Sequence, residues 1–227
     1  MYYFLAAIFF ISILLFLVTI IAVILKLRFW ENNKFNLSLI LISWFSLYLI
    51  FIIFFTGPTE AEIYHGKKNL NYYLPWKSGD KRFVAQGIRS FGSHRGLHTF
   101  AWDFVMPIGT SILAAREGRV IEIVDQLDGI GPKSNYIYIE QPDKTVACYA
   151  HIKKNGALVK VGDYVKRGQE IAKSGMVGQT FFPHLHFYVL NQEMTLSMPI
   201  SFRDISIGVP LAGKFYTSQN ELVKKTF

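Results

Sequence analysis

The chain begins with two long apolar stretches. Residues 1–25 contain no charged side chain, and a second charge-free run covers residues 35–59, with its densest part at Leu37–Phe55. About 20 apolar residues are enough for a helix to cross the ~30 Å hydrocarbon core of a bilayer. The first run lacks the basic start and the small-residue cleavage site of a signal peptide. The pattern therefore predicts a transmembrane hairpin of two helices over residues 1–55.

The charges between the two runs predict an orientation for this hairpin. The segment between them contains three basic residues, Lys26, Arg28 and Lys34, and one acidic residue, Glu31. Short loops rich in Lys and Arg stay in the cytoplasm. We therefore expect a multi-pass protein of the plasma membrane, with everything after about residue 56 on its outer side.

The pattern after residue 76 changes to short strands. The segments "TSILAAREGRVIEIV", "NYIYIE" and "TVACYAHI" are rich in β-branched and aromatic residues, and turns with glycine or proline separate them. Turn signals about every 8–12 residues are typical of antiparallel sheets folded as a sandwich or a small barrel. We therefore predict an all-β, compact antiparallel domain over residues 80–227, which a polar linker over residues 56–79 joins to the hairpin.

The charge of the chain limits the possible partners, and its cysteine content limits how the domain can be stabilised. The formal net charge of the 227 residues is +8, and a basic surface can attract anionic polymers. No run rich in Lys and Arg is interleaved with aromatic residues, so we expect no nucleic-acid partner. The single cysteine, Cys148, cannot form an internal disulfide, so packing alone must stabilise the domain.

The histidines are the candidates for chemistry. The stretch "FFPHLHFYVL" places His184 and His186 two positions apart, which puts both imidazoles on the same face of a strand. Zinc binds His nitrogen and Asp oxygen, and a catalytic zinc site has three protein ligands and a water molecule. Asp103 lies in another strand-like segment, so its carboxylate could converge with the pair on one sheet face.

A third strand-like segment contributes His151. On a regular strand His151 shares a face with Tyr149, whereas Cys148 points to the opposite side. This alternation predicts that Cys148 is a small core residue and not a ligand beside His151.

Four segments resemble a known family when they are taken in order: "HRGLHTFAWDFVMPIGTSILAAREGRV", "YAHI", "VKVGDYVKRGQEIAKSG" and "PHLHF". Together they resemble the lysostaphin-type zinc endopeptidases, which cut peptidoglycan cross-bridges, over about residues 80–215. The resemblance implies a β-domain of the duplicated hybrid motif type, with its site in an open groove. It also implies Zn²⁺ as the cofactor and peptidoglycan peptides as the substrate.

The resemblance also implies roles for individual residues. By position in the motifs, Asp103 and His186 are zinc ligands. His151 and His184 are the catalytic pair beside the metal-bound water.

The first zinc ligand has two candidates in this chain. Most members of the family separate that histidine from the aspartate by three residues, whereas His94 and His98 lie nine and five positions before Asp103. A variant pattern of the family, Ser-His-x-Gly followed by an aromatic residue and Ala-x-Asp-Phe, matches "SHRGLHTFAWDF". This match favours His94 as the ligand.

These features together predict a membrane-anchored, zinc-dependent endopeptidase that hydrolyses peptide bonds in bacterial cell-wall peptidoglycan. Its catalytic domain is expected outside the bacterial plasma membrane. The alternative is a non-hydrolytic protein of the same fold that binds the wall or activates another hydrolase. Such relatives typically lack a zinc ligand or a catalytic histidine, whereas this chain retains a candidate for all five.

Overall fold

The computed structural model describes residues 17–18, 21, 41–48, 72–90 and 93–223. The chain divides into two compact units, Met1–Phe54 and Phe55–Phe227.

The first unit contradicts the predicted localisation. Its described residues are helical, and the longest described run covers residues 41–48. No helix among the described residues is long and apolar enough to cross a membrane. The prediction of a multi-pass membrane protein with an extracytoplasmic domain is therefore wrong on this finding, and most of residues 1–55 lie outside the described part.

The second unit is built from β-strands, which confirms the predicted all-β class. A single-turn 3₁₀ helix, Gly96–His98, precedes the second strand. In chain order the strands are β1 (Lys81–Gln86), β2 (Trp102–Val105), β3 (Ser111–Leu113), β4 (Gly118–Val124), β5 (Tyr136–Glu140), β6 (Val146–Ala150), β7 (Ile152–Ala157), β8 (Tyr164–Val165), β9 (Glu170–Ser174), β10 (His184–Leu190) and β11 (Phe215–Thr217).

These strands form two antiparallel sheets. The larger has eight strands in the order β11-β1-β2-β10-β6-β5-β4-β8, and the smaller has three in the order β3-β9-β7. The strands β2, β10 and β6 are neighbours near the middle of the large sheet, and each contains or adjoins a candidate site residue. In register, His186 lies opposite Asp103 of β2 on one side and Ala150 of β6 on the other.

The two faces of this central region bury different clusters. One face packs into the main hydrophobic core, and the other carries a smaller cluster beside the candidate site. All seven residues of β10 are buried, so this strand has neighbours on both faces. The main core includes Trp102, Phe104, Tyr149, Leu185 and Phe187, and the smaller cluster includes Ala101, Cys148, Ala150 and Tyr188.

Cys148 is a buried residue of the smaller cluster. Its side chain is 1% exposed, and burial raises the pKa of its thiol to about 12. A thiol with so high a pKa stays protonated at neutral pH and is a poor metal ligand. The prediction of Cys148 as a small core residue is confirmed.

Candidate metal centre and catalytic histidines

The carboxylate of Asp103 is the centre of the candidate site. Its Oδ1 lies 2.7 Å from Nδ1 of His186, 3.2 Å from Nε2 of His94 and 3.4 Å from Nε2 of His184. Asp103 is 3% exposed. One buried oxygen atom is thus shared by three imidazoles.

The surroundings of Asp103 keep it ionised. Burial would raise the pKa of its carboxyl group, but the neighbouring His94 and His184 and the hydrogen bonds from His184 and His186 hold that pKa well below its ordinary value. A buried carboxylate must be paired with a cation or with several hydrogen-bond donors. A metal ion meets this requirement.

His94 is fully buried, and it lies just before the 3₁₀ turn. Its Nδ1 lies 2.7 Å from the carbonyl oxygen of Gly87. A carbonyl oxygen only accepts hydrogen bonds, so Nδ1 carries the ring proton in the neutral form. The lone pair on Nε2 therefore faces Asp103, as a metal ligand requires.

His94, Asp103 and His186 each offer one ligand atom, and these three atoms lie within 4.8 Å of one another. Two ligands held about 2.0–2.1 Å from a tetrahedral zinc ion lie about 3.4 Å apart. The 3.2 Å separation of His94 Nε2 from the Asp103 oxygen is close to this value. The 2.7 Å separation of His186 Nδ1 from the same oxygen is a hydrogen-bond length, which would have to widen by about 0.7 Å around a zinc ion. The donor types therefore fit zinc, and the spacing fits it after a small opening of the contact between His186 and Asp103.

His98, the other candidate for the first ligand, occupies a different position. Its Nδ1 lies 3.2 Å from Nε2 of His186, which is the nitrogen of that ring not bonded to Asp103. The candidate metal-binding groups found among the described residues include His94 and do not include His98.

His184 faces the site with Nε2 and is held from behind through Nδ1. That nitrogen lies 2.8 Å from the carbonyl oxygen of Phe182 and 3.1 Å from the hydroxyl of Thr180. The Thr180 hydroxyl in turn donates to the same carbonyl at 2.8 Å. Burial would lower the pKa of His184, but the carboxylate of Asp103 raises it above its ordinary value.

His151 reaches the site by a route that strand alternation did not predict. Tyr149 packs into the main core, while Ala150 lies on the face of His186. A continued strand would therefore point His151 away from the site. Instead β6 ends at Ala150, and His151 has a φ of +62°. This left-handed conformation turns the chain, so the alternation-based prediction for His151 was wrong, although its ring does reach the site.

The ring of His151 is positioned in the same manner as that of His184. Its Nδ1 lies 2.8 Å from the carbonyl oxygen of Val177 and 3.0 Å from the hydroxyl of Ser134, which donates to the same carbonyl at 2.9 Å. The two ring centroids lie 4.6 Å apart. Burial lowers the pKa of His151 to about 4, so the imidazole is neutral at physiological pH.

Ser134 and Thr180 are site residues that the sequence did not indicate. Both lie in irregular segments between strands and belong to none of the recognised motifs, and serine and threonine are common in such segments whatever their role. Each hydroxyl accepts a hydrogen bond from the Nδ1–H of one candidate catalytic histidine. The same hydroxyl donates to the backbone carbonyl that this Nδ1–H also contacts.

Sequence comparison adds the family to this geometry. Residues 97–198 match the model of peptidase family M23. These residues are therefore a domain of peptidase family M23. Asp103, His151, His184 and His186 lie inside the matched residues, and His94 lies three positions before them. The family is one of zinc-dependent metallo-endopeptidases, so the predicted enzyme class is confirmed at the level of the family.

Several M23 relatives are similar to part of the chain. Lysostaphin from Staphylococcus simulans is 36% identical over 112 residues, which are 49% of this chain and 22% of lysostaphin. The peptidoglycan DD-endopeptidase ShyB from Vibrio cholerae is 42% identical over 88 residues, which are 39% of this chain and 19% of ShyB. The solved catalytic domain of S. simulans lysostaphin is 31% identical with a TM-score of 0.38, and the match covers 56% of this chain and 84% of that domain. The chain thus spans about a fifth of the length of these two curated relatives.

The histidines of the M23 site predict how the metal-free chain responds to acid. Burial lowers the pKa of His151 to about 4 and that of His186 to about 3, from an ordinary value of 6.5. Because the folded pKa lies below the unfolded one, their contribution to stability is complete above pH 6.5 and is lost as the pH falls towards 4. The raised pKa of His184 changes the stability above pH 6.5, and the lowered pKa of Asp103 changes it below pH 3.8. We expect the denaturant midpoint, measured with a chelator present, to fall between pH 6.5 and 4.5.

His151→Asn is the matched variant for this measurement. Asparagine tolerates a left-handed conformation and does not titrate, so the variant should show a shallower pH dependence. Each such histidine steepens the dependence by up to about 1.4 kcal/mol per pH unit. A midpoint that rises on acidification, or an unchanged slope in His151→Asn, would contradict the expectation.

Proposed function

We propose that this protein is a zinc-dependent endopeptidase that hydrolyses peptide bonds in bacterial peptidoglycan. The observation that carries the proposal is the buried Asp103 carboxylate, which His94, His184 and His186 surround at 2.7–3.4 Å. The names of the relatives support the substrate class, because they include peptidoglycan DD-endopeptidases and the glycyl-glycine endopeptidase ALE-1.

In this proposal three atoms hold the zinc: Nε2 of His94, Oδ1 of Asp103 and Nδ1 of His186. When bound, zinc supplies a Lewis acid that polarises a carbonyl group and lowers the pKa of a water molecule. The donor set of two imidazoles and one carboxylate matches the three protein ligands that are usual for a catalytic zinc ion.

His151 and His184 are the proposed acid–base residues. Each holds its Nδ1 proton against a backbone carbonyl, at 2.8 Å in both cases. Nε2 is therefore the nitrogen that would exchange protons with water or substrate, and in His184 it also lies 3.4 Å from the Asp103 carboxylate. A positioned imidazole can accept a proton from the attacking water and return it to the leaving amine. With ring centroids 4.6 Å apart, the two residues can act on the same peptide bond.

The alternative of a non-hydrolytic scaffold is less well supported. A scaffold needs only the groove and gains nothing from buried ionisable side chains that converge on one point. Here His94, Asp103 and His186 form one group and His151, His184 and His186 form another, all of them buried. Burying charged and polar groups costs stability, and a catalytic role gives that cost a function.

The decisive experiment is peptidoglycan digestion by the full chain. The zinc-loaded protein should release new amino groups from purified peptidoglycan, a chelator should abolish the release, and added zinc should restore it. Walls with direct and with glycine-containing cross-links identify the bond class. A folded chain that binds no zinc, or a zinc-loaded chain that releases no amines from either wall, would overturn the proposal.

The two histidines of "PHLHF" should separate by role. His186→Ala should lose both zinc and activity, because no described side chain replaces its Nδ1 beside Asp103. His184→Ala should keep zinc and lose about 10²–10⁴ in rate, the usual range for a positioned acid or base. Metal content and amine release, measured on the same preparations, check both variants. A zinc-loaded His184→Ala chain with full activity would refute this division, and His94→Ala should behave as His186→Ala does.

Gly178 predicts an indirect effect on His151. Its φ is +103°, and a Cβ placed there would lie 2.7–2.9 Å from three atoms of Ser134, the residue that holds the His151 ring. Gly178→Ala should therefore displace Ser134 and His151. We expect a loss of up to about 10²-fold in rate, as for a small misplacement of a catalytic group, with zinc retained.

Gly131→Ala is the control for this change. The amide of Gly131 donates to the carbonyl of Gly178 at 3.1 Å, and a Cβ at Gly131 meets no atom within 4 Å. This variant should keep wild-type activity. Equal activities of the two variants would show that Ser134 does not position His151.

A further inference from the structure

His98 contacts the site but has no role in the proposed function. It ends the 3₁₀ turn Gly96–His98 and is partly exposed. Its Nδ1 lies 3.2 Å from Nε2 of His186. This is the contact made by the ring nitrogen of His186 that does not face Asp103.

The two nitrogens of His186 have different partners. Nδ1 lies 2.7 Å from Oδ1 of Asp103, so it is the nitrogen on the metal side. A neutral imidazole that binds metal through Nδ1 carries its proton on Nε2. The direction of the hydrogen bond follows, because Nε2–H of His186 must donate and Nδ1 of His98 must accept.

Packing holds the His98 ring at this place. The ring lies edge-on to His186, with centroids 5.1 Å apart at 68°, and edge-on to Tyr188, with centroids 4.9 Å apart at 88°. Tyr188 is buried and follows His186 by two positions on the same face of β10. Both rings that His98 contacts therefore belong to a rigid central strand.

The backbone of the turn also fixes His98. Its amide donates to the carbonyl of Arg95 at 3.0 Å, and its carbonyl accepts from the amide of Ala101 at 3.1 Å. Ala101 directly precedes β2, the strand of Asp103. His98 is thus anchored to the chain segment that supplies the carboxylate.

We propose that His98 is a positioning residue of the metal site, which accepts a hydrogen bond from Nε2–H of His186 and thereby holds the His186 ring in the tautomer and orientation that present Nδ1 to the metal. The inference rests on the proposed function, since it requires His186 to bind zinc. Outer partners of metal-binding histidines orient the ring and strengthen the metal bond, and their loss typically weakens metal affinity about 10–100-fold.

The test compares two substitutions of nearly equal shape. His98→Asn keeps an acceptor oxygen, whereas His98→Leu has none. We would measure the zinc dissociation constant of the full chain by competition with a chelator of known affinity. His98→Leu should bind zinc about 10–100-fold more weakly than the wild type, and His98→Asn should recover most of this loss. Leu97→Ala, an exposed neighbour in the same turn, is the control and should match the wild type.

A spectroscopic readout reports the hydrogen bond directly. In the zinc-loaded chain, the ¹⁵N spectrum of the histidine rings should show His186 as the Nε2–H tautomer, with slow exchange of that proton. In His98→Leu the proton should exchange faster with water. A purely structural role of His98 would alter neither signal and would affect Asn and Leu equally.

The outcomes separate the inference from the proposed function. If the wild type binds zinc and cleaves peptidoglycan while His98→Leu binds zinc equally tightly, the inference alone is overturned. Equal losses in the Asn and Leu variants also overturn it. Complete loss of zinc in both would instead make His98 a ligand. If the wild type binds no zinc, the proposed function falls and the inference falls with it.

Discussion

The rest of the site depends on one buried carboxylate. Asp103 is ionised although it is almost wholly removed from water, and three imidazoles lie around one of its oxygen atoms. A single unpaired charge in this position would cost several kcal/mol. The residues around Asp103 are therefore restricted in chemical type as well as in position. Each must donate a hydrogen bond to the carboxylate or bind the same cation. The histidine tautomers and the pKa shifts of the cluster follow from this constraint, and the proposed zinc ion would satisfy it.

The fold meets the constraint with two kinds of support. Asp103, His184 and His186 lie on the adjacent strands β2 and β10, whose pairing puts His186 directly opposite Asp103. His94 and His151 lie outside regular strands, and carbonyl groups of Gly87 and Val177 fix their rings. The sheet sets the separation of the central groups to within a hydrogen-bond length. In the loops, hydrogen bonds to backbone carbonyl groups orient the rings of His94 and His151.

Much of this arrangement could be predicted from the sequence. Alternating segments gave the β-strands, and the ordered motifs led to Asp103, His151, His184 and His186. Alternation failed at His151, because a left-handed residue at a strand end leaves no trace in the pattern of apolar positions. The roles of the Ser134 and Thr180 hydroxyls were not predictable, since both residues lie in irregular segments and Ser134 contacts a residue 17 positions away in the chain. The charge-free N-terminal runs predicted membrane helices, whereas no helix among the described residues is long and apolar enough to cross a membrane.

The division between sheet-borne and loop-borne groups has a consequence for how the chain can vary. Insertion or deletion of one residue within β2 or β10 would move Asp103 or His186 to the opposite face of the sheet, and the two side chains would no longer be in contact. The connection between His94 and β2 includes the exposed residues 95–97, where a change in length can be accommodated because a longer loop costs little more free energy to close. The number of residues between His94 and Asp103 can therefore vary, whereas the pairing register of β2 and β10 cannot. Nine positions separate His94 from Asp103, and the extra residues leave room for a second imidazole, that of His98, against the outer edge of His186.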